Sequence, residues 1–315
     1  VAAVQTAFDA MFISPGAANF NAGIANALLP ILFLKAGVYQ DNFVVDRGVT
    51  IIGPNFGRCY GATRVAGAEI RPLALGTPIN GINGTRVGKA GGAVDGVVFD
   101  GLEFNVNGGY TLATPENTYL LYTFLAAGEA VNNLTVKNCK FDSSGVYGQP
   151  NIVGSITSPV SIVFTDNAGP GGGSVSGALI ECNTFVLDSD DEAGMGFVGI
   201  LAQLPGVSTA APNKIKTNKF ERVAGHSADL GRPYGIWLQN DSANHQIPSY
   251  WEVESNLFTG NYAYQFGVTN EAATTGNVQG ISLRSNTFQG DVGAGRAVYM
   301  QNSATNGMAF VNTGL

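Results

Sequence analysis

At 315 residues, with a net charge of −7 and a pI of about 4.8, the chain is long enough for one large domain or two ordinary ones. Apolar residues make up 45% and charged residues only 12%, so a sizeable core is paired with a surface of Asn, Thr, Ser, Gln and Gly. The acidic balance excludes the basic footprint that nucleic acid requires, and no apolar run reaches the roughly 20 residues needed to cross a bilayer.

The chain opens "VAAVQTAFDAMF", with Val4, Phe8 and Met11 or Phe12 on one helical face. Residues 1–30 read as an N-terminal cap, a short amphipathic helix able to cover strand edges at the end of a solenoid. With no Met and no signal peptide, the expectation is a processed mature form or a fragment. From residue 31 onward a phrase recurs. Counting back from a Phe, positions −7 and −5 are apolar in most copies and −2 is usually Asn. The copies end at Phe56, Phe104, Phe141, Phe185, Phe220, Phe258 and Phe288. The −7/−5 pair reads as a strand with one buried face. The odd step to −2 reads as a bend at Asn, which tolerates left-handed backbone. Phe then starts a second short inward-facing strand. The spacing of 30 to 48 residues between anchors suggests one solenoid turn each. In this reading Phe stacks on Phe. Asn183, Asn218, Asn256 and Asn286 form an inward ladder, and Cys139 takes the same corner one coil earlier as a free thiol. A second series, clearest in "GIWLQNDSAN" (235–244) and "AVYMQNSATN" (297–306), supplies a third strand per coil. "GMAFVNTGL" (307–315) reads as the start of a further coil with no cap after it.

This pattern, over about residues 30 to 312, resembles the right-handed parallel β-helix of the pectin-lyase-like superfamily. The stretch "ILFLKAGVYQDNFVVDRGVTIIGPNFG" (31–57) is similar to the first coils of pectin methylesterases. The resemblance implies an all-β fold, a right-handed parallel β-helix solenoid over 31–315 with a short N-terminal capping helix in 1–30. It implies no single activity, because the superfold hosts lyases, hydrolases, esterases, tailspikes, adhesins and inert shafts. The paired Asp and Arg of the esterases, the full hydrolase set, the lyase calcium cluster and the Asp-Pro-His signature of the epimerase-like members are not reproduced.

Candidate catalytic residues are Asp142, Asp188, Glu221 and Arg222 on outward positions after the anchors, with His226 and Asp229 in "GHSADLGRPYG" (225–235), a loop that also carries Arg232 and Tyr234. Asp142 and Glu221 fall two coils apart, about 10 Å at the usual strand spacing, near the separation that suits an inverting glycosidase. Asp188, Asp190, Asp191 and Glu192 form the densest acidic loop, and clustered hard oxygens can hold calcium, although a solvated loop has the same composition. Cys59, Cys139 and Cys182 are too few and too scattered for a disulfide framework or a zinc site. A Cys139–Cys182 bond between neighbouring coils stays open. The second series offers an outward stripe of Phe164, Leu201, Trp237, Gly267 and Tyr299 beside Asp166, Gln203, Gln239, Thr269 and Gln301. Aromatic faces stack on sugars while amides read hydroxyls, and the same features suit a chain–chain interface. The expected function is therefore a non-catalytic β-helix of an extracellular, cell-surface or virion-surface address, an adhesin, fibre or structural component that binds polysaccharide, other copies of itself or assembly subunits. The alternative is a polysaccharide lyase or glycoside hydrolase of the tailspike depolymerase type. Asn83, Asn133 and Asn240 each begin an Asn-x-Ser/Thr triplet.

Overall fold

The protein is seen in a computed structural model. It describes residues 30–72, 82–105, 117–143, 160–166, 172–187, 198–204, 210–222, 234–240, 248–260, 262, 264–270, 278–290 and 296–302. The expected N-terminal helix and the expected coil at 307–315 lie outside the described residues.

Short strands recur in a fixed cycle, and every pairing is parallel between successive coils. The corner sheet runs Ile31–Phe33, Thr50–Ile52, Val98–Asp100, Thr135–Lys137, Leu179–Glu181, Asn213–Lys216, Trp251–Glu254 and Ser282–Arg284. The anchor sheet runs Gly37–Gln40, Ala68–Arg71, Glu103–Asn105, Lys140–Asp142, Thr184–Leu187, Lys219–Arg222, Leu257–Thr259 and Thr287–Gln289. The broad sheet runs Val44–Val45, Ile82–Val87, Asn117–Leu125, Val160–Asp166, Val198–Ala202, Tyr234–Asn240, Tyr264–Asn270 and Arg296–Asn302. A small sheet, Ala93–Asp95, Ala130–Asn132 and Ser174–Ser176, lies in sequence between the broad and corner strands of three coils. Chain progression through stacked parallel sheets is a β-helix, and parallel crossovers are right-handed in nearly all proteins. Among the described residues no helix is long and apolar enough to cross a membrane.

The anchor Phe rings form one internal stack. Phe104, Phe141, Phe185, Phe220, Phe258 and Phe288 follow one another at centroid separations of 4.8, 5.0, 4.6, 4.7 and 5.1 Å, with planes within 18° of parallel. All are fully buried except Phe288, which is half-buried in the last described coil. Phe56 departs from the expectation and is 61% exposed. Its coil inserts a loop, residues 53–67, before the anchor strand, so Ile70 takes the inward place and pairs with Phe104.

The Asn ladder is present. The main-chain N–H of Cys139 donates to Asn183 Oδ1 (2.9 Å). Asn183, Asn218 and Asn256 each donate main-chain N–H and Nδ2 to the Oδ1 of the next Asn at 2.9–3.0 Å, ending on Asn286. Each amide therefore satisfies a bend that would otherwise bury unpaired polar groups. The left-handed residue is not the ladder Asn but the one before it. Asn138, Cys182, Thr217, Ser255 and Ser285 have φ between 53° and 57°, and Gly101 has φ 72°. The Asn supplies hydrogen bonds and its neighbour supplies the turn.

On the outer face of the corner sheet, Asp100, Lys137, Glu181, Lys216, Glu254 and Arg284 fall in one row and alternate in sign. Lys137 lies 3.5 Å from Asp100, and Lys216 lies 3.3 Å from Glu181. Pairs whose lysine end is open to solvent add little stability, but a slip of one coil would set like charges opposite each other and so disfavours the wrong register.

Cys139 is the free corner thiol that the sequence suggests, but a disulfide is present where too few cysteines suggested none. Cys182 is bonded to Cys59, with Cα atoms 4.5 Å apart, and Cys139 is free and buried. The inserted loop 53–67 climbs the corner as a strap. Arg64 donates to the carbonyls of Leu102 and Asn138 and lies 3.3 Å from Glu103. Burial is the main cause pushing the Cys139 thiol up to about 12. At about pH 8 the folded protein should therefore resist alkylation at Cys139, whereas denatured protein should take one equivalent, because only the thiolate reacts. The folded state holds this proton more tightly than the unfolded chain, so its contribution to stability is full below an ordinary thiol value of 9.0 and fades as pH rises toward 12. Quantitative labelling of the native protein at about pH 8 would contradict the burial.

Candidate functional site on the outer face of the broad sheet

Register fixes which side chains leave the core. Leu121, Ile162, Ile200, Ile236, Phe266 and Val298 form one inward row, and Phe164, Ala202, Leu238, Val268 and Met300 form another. Between them an outward row runs Tyr122, Val163, Leu201, Trp237, Gly267, Tyr299. Leu201, Trp237 and Tyr299 thus occupy the stripe as expected. Phe164 does not. It is fully buried and packs 5.3 Å from the Trp251 ring, while Val163 takes the outward place. The sequence reading was one residue out of register on this strand, so Thr165 rather than Asp166 begins the polar row.

A further outward row, Val160, Val198, Tyr234, Tyr264 and Arg296, runs alongside. Toward the N-terminal coils the face is dry: Tyr122, Val160, Val163 and Val198 are buried and form an apolar cluster separate from the helix interior. Burial raises the Tyr122 hydroxyl, with Arg86 opposing the shift. Toward the C-terminal coils Leu201, Tyr234, Trp237, Tyr264 and Tyr299 are half-buried and Arg296 is exposed.

The rings are not a flat platform. Trp237 stacks on Tyr234 at 4.5 Å, Tyr234 tilts against Tyr264 at 5.1 Å, Tyr264 stacks on Tyr299 at 4.1 Å, and the Arg296 guanidinium lies 4.6 Å from the Tyr299 centroid. Gly267 makes the expected notch, but a Cβ there would meet the Tyr264 ring at 3.4 Å and Trp237 at 3.6 Å, so neighbours line it closely. Trp237 Nε1 donates to Thr269 Oγ1 (2.9 Å). Burial first, then the neighbouring Tyr299 and Tyr234, push the Tyr264 hydroxyl up to about 12 and keep it a donor at neutral pH. Simple alternation hides Tyr264 and Arg296, because each lies two residues before an inward side chain, Phe266 and Val298, and so reads as inward.

The amide row is also partly self-satisfied. Thr165 Oγ1 donates to Gln203 Oε1 (2.8 Å), and Gln203 Nε2 donates to Gln239 Oε1 (3.2 Å). Both glutamines are buried, whereas Gln301 is exposed and accepts from the Tyr299 hydroxyl. Of the expected binding residues, Trp237, Tyr234, Tyr299 and Gln301 are accessible together; Gln203 and Gln239 hold the row in place.

The catalytic candidates do not gather around this face. Asp142, Val186 and Glu221 share an outward row of the anchor sheet, as expected, with the two carboxylates two strands apart. Each is engaged by the lysine two residues before it, Lys140 at 2.7 Å and Lys219 at 2.6 Å. Arg222 is half-buried at the end of its strand, beside Gly260 of the next coil. Asp188, Asp190, Asp191, Glu192, His226 and Asp229 lie outside the described residues. Among the described residues no three His, Cys, Asp or Glu side chains gather as a metal site.

No family model matches the sequence, and none of the curated proteins matches it. Among solved structures, a pectin methylesterase mutant in complex with a hexasaccharide aligns over 87% of this chain and 76% of its own, at 11% identity and a TM-score of 0.36. A hyper-glycosylated TibA fragment aligns over 90% of this chain and 96% of its own, at 11% identity and a TM-score of 0.14. The β-helix is established by the chain's own strand order, in which each coil pairs in parallel with the next across all three long sheets.

Proposed function

We propose that the protein is a non-catalytic, extracellular or virion-surface β-helix that recognises a glycan along the C-terminal half of its broad sheet. The observation that carries this reading is Trp237, half-exposed on a sheet face, with one side stacked on Tyr234 and its indole N–H fixed by Thr269. A ring held rigidly at its base binds at low entropic cost. Its apolar face suits the C–H face of a sugar, and the hydroxyls and amide nearby suit sugar hydroxyls. The Cys59–Cys182 bond supports an oxidising address, where disulfides persist. The lysine-paired carboxylates favour the non-catalytic reading over the lyase or hydrolase alternative.

The test is Trp237→Ala. Thermal melting should change little, because the ring lies outside the helix core, while binding on a glycan array should weaken about tenfold or more, the loss of roughly 1.4 kcal/mol or beyond. A fall in assembly mass by light scattering, with glycan binding unchanged, would instead assign the face to subunit packing. A sharply lower melting temperature with binding and mass intact would remove the face from function. New reducing ends released from a polysaccharide panel would overturn the non-catalytic reading.

A further inference from the structure

The second corner of five coils, just before the corner sheet, is also left-handed. Gly96, Asn133, Gly177, Tyr250 and Gly280 occupy it with φ between 53° and 74°. Asn133 lies between two glycines on successive coils, and a Cβ on Gly177 would come within 2.8 Å of Asn133 Oδ1. The Asn133 side chain is exposed on this ridge and its Nδ2 donates to Asp95 Oδ1 of the preceding coil (2.8 Å). Thr135, two residues on, stands on the outer face of the corner sheet.

The left-handed backbone explains an Asn or Gly at 133. Thr135, in the outward row that also holds Thr50 and Val98, completes an Asn-x-Thr triplet beside it. The structure also separates this triplet from that at Asn240. Asn240 is fully buried and donates to Asn270 Oδ1 within the core (3.1 Å). The side chain of Asn83 is outside the described set. The flanking glycines leave the ridge open around Asn133, and the Cys59–Cys182 bond fits the oxidising lumen in which such triplets are modified.

We infer that Asn133 is an N-linked glycan acceptor. The co-reactant is a lipid-linked oligosaccharide pyrophosphate. The Asn133 amide nitrogen forms a bond to the anomeric carbon, the bond from that carbon to the pyrophosphate oxygen breaks, and the amide proton leaves with the lipid pyrophosphate. One N–H remains on the side chain as a donor. The glycan would project from the ridge between the small and corner sheets and not from the aromatic face, so this inference stands apart from the glycan-binding proposal.

The experiment is intact-mass analysis and peptide mapping of the protein isolated from its natural source. Amidase release in heavy-oxygen water marks each modified Asn as labelled Asp. The label is expected at residue 133 and absent at residue 240. Two variants made in the same host keep the corner sound: Asn133→Gly retains a residue suited to positive φ, and Thr135→Val retains the Asn and the strand. Both should lose the glycan at residue 133, read as the loss of one glycan's mass and of its peptide, while keeping the wild-type melting transition to within a few degrees. An unmodified Asn133 in the natural protein, or an intact mass that neither variant lowers, overturns the inference.

Discussion

Replacing Phe220 with Ala is expected to destabilise the β-helix by about 3–5 kcal/mol, the usual cost of removing a buried aromatic ring and leaving its cavity. Phe220 is fully buried in mid-stack, 4.6 Å from Phe185 and 4.7 Å from Phe258. Its edge also packs on a backbone that admits no side chain: a Cβ on Gly199 would lie 2.9 Å from Phe220 Cε1 and 2.6 Å from the Gly235 carbonyl. The surrounding sheets are tied by parallel ladders on both sides, so the site cannot collapse to fill the void. In a solenoid the coils on either side can also uncouple, because each contacts only its neighbours. Phe220→Ala should therefore both lower the denaturant midpoint and broaden or split the transition. Phe288→Ala, half-buried in the last described coil, should cost clearly less. Equal effects at the two positions, or a Phe220→Ala transition indistinguishable from wild type, would contradict a continuous stack.

The stack and the ladder were legible because they are inward and periodic. A solenoid repeats one buried environment per coil, so the same residue types return at the same offsets, and burial rather than surface chemistry dictates them. Legibility failed where a coil broke its period. Phe56 carries the right offset from Val49 and Ile51, but loop 53–67 intervenes and Ile70 fills the place instead. It also failed where two apolar residues adjoin. In Val160–Asp166, Val163 and Phe164 are both able to face inward, and the choice is made by Trp251, nearly ninety positions away in sequence and one layer across the core.

On the outer face the sequence placed Leu201, Trp237 and Tyr299 in one row but misplaced Phe164 and Asp166, and it left the relations between the rows unread. Whether Gln203 and Gln239 address a ligand or each other depends on the distance between rows, and the rows are close enough that they pair (3.2 Å). Whether the rings lie flat depends on how neighbouring strands set them, and Tyr264 leans beside Gly267 to stack on Tyr299. Neither relation leaves a local mark in sequence. The consequence is a smaller and better-defined candidate site, centred on Trp237 and bounded by Tyr234, Tyr264, Tyr299, Arg296 and Gln301.

The strap yields the other large expected effect. Breaking the Cys59–Cys182 bond, by Cys59→Ser or Cys182→Ser, should destabilise the protein by about 3–5 kcal/mol. A cross-link closing a loop of about a hundred residues removes that order of chain entropy from the unfolded state, and here the separation is 123 residues. Serine is a fair replacement at 182. That position is left-handed, and Ser255 and Ser285 hold the same corner with φ 56° and 53° in later coils. The loss should therefore report the bond and not a strained backbone. A second readout isolates the strap itself. Loop 53–67 is held by the disulfide, by the Arg64 contacts, and by Asn55, which exchanges hydrogen bonds with Val65 across the loop base (2.8 and 3.0 Å). Without the bond, limited proteolysis should cut first in this loop while the coils stay intact, since the anchor strand Ala68–Arg71 keeps its pairing with Gly37–Gln40. Reductant should reproduce the shift in the wild-type protein and add nothing in either serine variant. If reductant lowers the midpoint of Cys59→Ser as well, the stabilising bond lies elsewhere, and the strap is not what ties the second coil to the fifth corner strand.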